Sequence, residues 1–429
     1  MSVSLAIVGA GSRGSAYAGY AERCPDRAHV VAVAEPRSGH RDALADRHGV
    51  PADGRFPSWQ ALADQPRLAD AVVVATPDRE HTGPVARLAD LGYHILLEKP
   101  MAPIEVECDE VVQVARRTGI LLTVCHVLRY TPYTAAVKRL VAAGTVGRII
   151  GVEHLEPVGW WHFAHSYVRG NWRRADESSA SLLAKCCHDL DWLRYVVDDV
   201  PVRVSSVGSL HHFRPGNRPE GAADRCLDCR VEARCPYSAT RFYAECLADP
   251  QRRVWPLSVV TRDLTEDGVR LALREGPYGR CVYASDNDVV DHQVVTVSFA
   301  GGANATLTMS AFTPAGHRRT RIMGTRGYLE GDGERITVTD FVTGRTTTVD
   351  ATAGGADAGS GHGGGDHGLM AAFVEAVATG DRSLVRSGPQ ESLDSHRMAF
   401  AAERSRLAGG IPVELDPARF TTEVPRPAR

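Results

Sequence analysis

Short β-branched runs alternate with helix-period segments over the first 125 residues. Val3–Val8, Val30–Ala34, Ala71–Ala75, Tyr93–Leu97 and Leu121–Val124 read as strands. Ser12–Arg23, Arg41–His48, Trp59–Ala63, His81–Leu91 and Glu105–Thr118 read as helices between them. That alternation is the sequence form of βαβ units on a parallel sheet. The rhythm changes after residue 125. From Ile149 onward long strand patterns (149–155, 202–209, 289–300, 303–311, 319–323, 327–330, 335–340) surround one strong helix, Ser179–Val196, and helices over 368–379 and 391–407 close the chain. The expectation is an α/β doubly wound domain over 1–125, then an α+β domain over 126–429 with a large, mostly antiparallel sheet. The stretch 210–285, with few strand signals, reads as an insertion.

Composition narrows this picture. Of 429 residues 43% are hydrophobic and 24% charged, which excludes a chain disordered throughout. Lys plus Arg is 49 against 52 acidic residues, so nucleic acid and anionic membranes are poor partners. No apolar run approaches the roughly 18 residues of a membrane span, and a cytoplasmic enzyme is expected.

The candidate chemistry begins at Gly9-Ala10-Gly11-Ser12-Arg13-Gly14, between the first strand and the first helix. In that context G-x-G-x-x-G marks a dinucleotide site: two glycines admit the turn and the pyrophosphate, and the third allows helix to pack on strand. Glu35 ends the second strand 21 residues beyond Gly14, where a carboxylate accepts from ribose hydroxyls. NAD is therefore favoured over NADP, with Arg37 partly offsetting the repulsion of a 2′-phosphate.

Glu98-Lys99-Pro100 stands at a strand's carboxyl end, preceded by Thr76-Pro77 and His81. With the glycine motif, these residues resemble the Gfo/Idh/MocA oxidoreductases, and the resemblance covers essentially the whole chain. It implies a Rossmann domain followed by a sheet domain, with substrate held between nicotinamide and sheet. It also implies that Lys99 polarises the reacting carbinol oxygen, with Pro100 often cis, and that the chain forms a homodimer or homotetramer. In relatives the helix corresponding to 179–196 carries an Asp, a general-base His four residues later and another Asp three beyond. His188 and Asp191 match, whereas Ala184 stands in the first Asp position. His188 is the expected base, and Lys185, one turn away, a substrate ligand or a partial replacement for the Asp.

The aromatic, His and Arg-rich stretch 160–172, with Trp161, His162, Arg169 and Trp172, together with Arg129, suits the walls of a carbohydrate pocket. Cys226-x2-Cys229-x5-Cys235, completed by Cys281 or alternatively Cys246, has the spacing of a structural zinc site. The glycine tract around His362, Asp366 and His367 reads equally as linker or as a loop over the pocket. The expected activity is an NAD-dependent dehydrogenase of a sugar, sugar derivative or cyclitol. An NAD-dependent glycoside hydrolase working by transient oxidation and elimination is one alternative. A catalytically silent NAD-binding regulator is another, and retention of Lys99 and His188 argues against it.

Overall fold

The computed structural model describes residues 2–352 and 362–420. Strands β1 (Val3–Val8), β2 (Ala28–Ala34), β3 (Arg55–Phe56), β4 (Ala71–Val74), β5 (His94–Leu97) and β6 (Leu122–Val124) form a parallel sheet in the order β3-β2-β1-β4-β5-β6. β4, Ala-Val-Val-Val, is buried along its whole length, as expected of a strand covered on both faces by helices. Strand order reverses between β1 and β4, so a crevice opens there beyond the strands' carboxyl ends.

The second sheet has nine strands: β7 (Ile149–Pro157), β8 (Pro201–Ser209), β9 (His292–Phe299), β10 (Asn304–Ser310), β11 (Arg319–Gly324), β12 (Gly327–Gly331), β13 (Arg335–Asp340), β14 (Thr346–Asp350) and β15 (Val413–Glu414). Their order is β14-β13-β12-β11-β7-β10-β9-β8-β15, antiparallel except where β10 runs parallel to β7. Alternation along β7 buries Val152, His154 and Glu156 and turns Glu153 to solvent. The helix Ser181–Val197 packs on that inner face against β7 and β10. The helix Pro389–Leu407 packs on 181–197, on β8 and on the Rossmann-side helix Glu105–Thr118, tying the two sheets together.

Two features were not anticipated. Pro132–Ala142 is a helix capped by the Thr131 hydroxyl, which accepts from Thr134 N at 3.0 Å; the Thr-Pro start is a helix signal that strand-seeking passes over. The insertion contains helices Ala239–Ala248 and Glu266–Glu275 around its own small core of Cys226, Tyr243, Leu257 and Leu273.

Candidate active site

At the first turn, Gly9 has φ +94° and a Cβ there would lie 2.4 Å from the Ala75 carbonyl oxygen. A Cβ on Gly14 would lie 1.9 Å from the Gly9 carbonyl oxygen, so the helix Ser12–Arg23 leaves the strand only with glycine at both positions. Above Gly11 only the Arg37 guanidinium comes near, at 3.6 Å, which leaves an open cradle at a helix N-terminus and fits a pyrophosphate. The buried Glu35 carboxylate accepts from Ala10 N at 2.9 Å and from Arg37 N, Nε and Nη2 at 2.7–3.0 Å. All four of its acceptor positions are thus occupied, so a ribose hydroxyl would have to displace Arg37.

Lys99-Pro100 is a cis peptide bond. His81 bridges this turn to the neighbouring one, its Nδ1 2.8 Å from Pro100 O and its Nε2 3.0 Å from Thr76 O. Thr76 and His81 thereby hold the two turns together, with the Thr76 hydroxyl donating to Glu80 O. Glu98 accepts from Arg13 Nε at 2.5 Å and the Tyr17 hydroxyl at 2.9 Å. Burial pushes its carboxyl up, yet Arg13 and Lys99 outweigh burial and hold it below the usual carboxylate range. Lys99 Nζ reaches across the crevice and donates to Ala184 O at 2.5 Å.

One turn beyond Ala184 lies His188, 3% exposed, with neither ring nitrogen hydrogen-bonded within the described protein. Burial first, then the charge of Lys99, holds its pKa well below that of a free imidazole, so the ring is neutral and able to accept a proton. Lys185 pairs with buried Glu156 at 3.3 Å, and Arg318 reaches the same carboxylate at 2.6 Å. Asp189 takes Arg318 Nε at 2.9 Å and faces His154 Nε2 at 3.1 Å, linking helix to sheet. Its acidity is raised because Arg318 and His154 outweigh burial.

The sequence reading did not single out His126, two residues beyond the end of β6, or assign a role to His362 and Asp366. The His126 ring lies 5.8 Å from His188 and 5.6 Å from His396, edge-on to both. His362 lies 5.8 Å from His188, with its Nδ1 3.3 Å from Asp366 Oδ2, and Asp366 takes Arg13 Nη2 at 2.6 Å. The glycine tract therefore brings two polar residues to the site, although Ser360 and Gly361 lie outside the described residues. The strand-end position of His126 was a usable signal, since parallel sheets gather ligands at their carboxyl ends.

Several expected substrate ligands are engaged elsewhere. Arg129 donates Nε and Nη2 to the two oxygens of Asp191 at 2.7 Å each, and Nη1 to Arg386 O. With Asp191 fully buried, this pair joins helix 181–197 to the β6 loop rather than facing a pocket. Arg169 is 4% exposed and donates to the carbonyls of Arg280 and Tyr237, pinning the insertion. Trp172 Nε1 donates to Asp78 at 3.2 Å across the two sheets' units. The rings of Trp161 and His162 are stacked beside each other, and burial first, then the charges of Lys185 and His165, hold the His162 pKa well below that of a free imidazole.

Cys226, Cys229, Cys235 and Cys281 do line one small cavity, from which Cys246 is absent. Yet among the described residues no group of three or more His, Cys, Asp or Glu side chains is disposed to hold a metal ion, and the zinc expectation is not supported. The Arg169 guanidinium stands 3.6 Å from Cys226 Sγ and donates to it. No helix among the described residues is long and apolar enough to cross a membrane.

A family model described as oxidoreductase family, NAD-binding Rossmann fold, matches residues 3–126, and one described as oxidoreductase family, C-terminal alpha/beta domain, matches 138–415. The chain belongs to the Gfo/Idh/MocA oxidoreductase family. Its Rossmann domain and mostly antiparallel second sheet are those of this family. Curated relatives include the 2,7-anhydro-N-acetylneuraminate hydratase of Escherichia coli (strain K12), 26% identical over 50% of this chain and 55% of that one. Another is the levoglucosan dehydrogenase of Pseudarthrobacter phenanthrenivorans, 24% identical over 46% and 52%. The chain spans between half and three fifths of the length of the first such relatives. Among solved structures, an oxidoreductase domain protein from Kribbella flavida aligns with TM-score 0.72 and 18% identity, over 97% of this chain and 99% of that one. A levoglucosan dehydrogenase in complex with NADH and levoglucosan aligns with TM-score 0.69 and 18% identity, over 96% and 99%. At these identities the structural likeness concerns the fold.

Proposed function

We propose that this Gfo/Idh/MocA protein is an NAD-dependent oxidoreductase moving a hydride between a secondary carbinol of a sugar, sugar derivative or cyclitol and nicotinamide. The observation that carries the reading is the approach of Lys99, from the strand end beside the glycine cradle, to helix 181–197 one turn before His188. Residues 1–125 form the nucleotide-binding unit, in which Gly9, Gly11, Ser12, Arg13, Gly14 and Glu35 would hold NAD. Bound NAD supplies the hydride acceptor. Lys99 donates a hydrogen bond to the carbinol oxygen as it gains negative charge, an interaction that strengthens along the reaction. His188, neutral and buried, takes the hydroxyl proton. Lys185, paired with Glu156, presents its remaining donors to a substrate hydroxyl. The acidic Glu35 supports NAD over NADP. The exposed valines Val207 and Val294, paired across β8 and β9, support self-association through the outer sheet face; light scattering at monomer mass would contradict it.

A second reading is favoured by one finding: two relatives are named hydratases, a transformation without net oxidation. Here the hydride would return to the substrate within each turnover, as in an NAD-dependent glycoside hydrolase. One assay separates the two, with purified protein, NAD and a panel of free sugars, cyclitols and chromogenic glycosides, following reduced nicotinamide and released aglycone together. NADH accumulating without aglycone supports the dehydrogenase. Aglycone release with catalytic NAD and no net NADH supports the second reading, and neither signal from any member overturns both.

A further inference from the structure

A proton taken by His188 has to leave before the next turnover, yet the ring is buried and neither of its nitrogens meets a partner among the described residues. Two imidazoles flank it, each with its ring centroid 5.8 Å away. They lead in opposite directions. His126 is fully buried, and the ring beyond it, His396, is closed: its Nε2 accepts from Met101 N at 2.9 Å and its Nδ1 donates to Ser392 O at 2.7 Å. His362, by contrast, has 29% of its side chain exposed.

The place of His362 is fixed from outside the glycine tract. Its Nδ1 lies 3.3 Å from Asp366 Oδ2, and Asp366, in the first turn of the helix Gly365–Thr379, takes Arg13 Nη2 at 2.6 Å and Nη1 at 3.2 Å. Arg13 belongs to the glycine motif and also donates to Glu98, so the carboxylate that orients His362 is anchored beside the nucleotide cradle. A carboxylate on Nδ1 sets the tautomer and supports the imidazolium, which leaves Nε2 to take up and release a proton. The backbone adds a second sign. His362 has φ +57°, and the next two residues are glycines that also have positive φ. Glycine adopts that conformation without strain, so an imidazole is held there against the local backbone preference. Burial lowers the pKa of His188 and of His362 alike, and neither ring traps the proton near neutrality.

We propose that His362, oriented by Asp366, carries the proton between His188 and solvent. This rests on the reading of His188 as the base of a dehydrogenase and adds the route its proton follows. Oxidation sends the carbinol hydride, with both electrons, to NAD and the hydroxyl proton to His188. The His188 imidazolium then gives that proton to His362, directly or through one water, and His362 releases it to bulk solvent. Only N–H and O–H bonds change in this second step, and reduction of a carbonyl runs the same route inward.

The test uses the full-length protein, NAD and the sugar that the panel identifies, with His362→Gly and His362→Asn beside the wild type. Glycine and asparagine both tolerate a positive φ, so the fold survives, which circular dichroism and NAD binding by fluorescence quenching check. In dilute buffer the steady-state kcat falls by about tenfold or more in both variants, while the rate of a single turnover with enzyme in excess stays within about threefold of the wild type. Imidazole added to His362→Gly takes the space of the lost ring and restores kcat in proportion to its concentration, without accelerating the wild type. A kcat unchanged in both variants, a single-turnover rate that falls in step with kcat, or no response of His362→Gly to imidazole overturns the proposal and leaves the reading of His188 standing. Loss of the fold or of NAD binding in both variants makes His362 a structural residue and also overturns it. No net reduced nicotinamide from the wild type with any member of the panel overturns the reading of His188 and the proposal together.

Discussion

Lys99 Nζ donates to the main-chain carbonyl of Ala184, 2.5 Å away, at the helix position where the family resemblance leads one to expect an aspartate. The ammonium thus meets a neutral acceptor, and Ala184 adds no carboxylate beside it. A neutral partner leaves more of its charge directed at an oxygen becoming negative, and it is exchanged for substrate at lower cost.

Replacing Lys99 by Ala removes the donor to the developing oxyanion. The expected loss in kcat is about 10²–10³-fold. The dissociation constant for NAD, read from quenching of protein fluorescence, stays within about threefold on the same argument that the contact is made chiefly in the transition state.

Arg37 occupies the Glu35 carboxylate and sets a positive charge where a 2′-phosphate would have to be accommodated. Arg37→Ala frees Glu35 for ribose hydroxyls and leaves its charge unopposed. Discrimination for NAD over NADP, compared as kcat/KM with each cofactor, rises by about tenfold or more, the equivalent of one modest charge contact of about 1.4 kcal/mol. Unchanged or reduced discrimination would show that Glu35 does not read the ribose.

Stability should fall with acid in two stages. Burial lowers His126 to about 4 and His165 and His396 to about 3, so the folded rings stay neutral where unfolded ones take a proton. The unfolded chain binds more protons once the pH drops below about 6.5, and each ring then removes up to about 1.4 kcal/mol per pH unit until its own folded value is reached. Below about pH 4.5 a second loss sets in, because Glu98, Asp189 and Asp366 have folded values beneath the unfolded carboxylate range. Denaturant midpoints measured from pH 7 to 4 should decline throughout; a flat profile down to pH 5 would contradict the burial of these histidines.

The Arg129–Asp191 pair is buried and bidentate, so removing one partner strands a charge. Arg129→Met or Asp191→Asn alone is expected to lower unfolding free energy by about 3–5 kcal/mol. The double substitution should cost clearly less than the sum, as a chemical-denaturation cycle would show.

The βαβ rhythm was plain in the sequence because valine-rich runs such as Ala71–Val74 are buried on both faces, and the glycine motif because Gly9 and Gly14 have no room for a Cβ. Lys99 and His188 were singled out by the family resemblance that the glycine motif and Glu98-Lys99-Pro100 carry, not by local pattern alone. Local pattern could not say that Arg129 turns to Asp191, or that Arg169 turns to the carbonyls of Arg280 and Tyr237, since both partners are more than 60 residues away. The same distance in sequence hid the approach of His362 and Asp366 to His188 and Arg13. A glycine-rich tract has no periodicity from which to read its direction. The cysteine spacing suggested zinc, yet spacing along the chain does not fix whether the side chains converge on one point, and among the described residues none do so as a metal-holding group.

The most direct test is a single turnover. Enzyme in excess over the sugar identified by the panel is mixed with NAD, and reduced nicotinamide is followed by absorbance in the wild type and in His188→Ala. The account predicts a rapid burst in the wild type and one slowed by about 10²-fold or more without the imidazole. A full-rate burst in His188→Ala, or no reduced nicotinamide from the wild type with any sugar, cyclitol or glycoside, would contradict it.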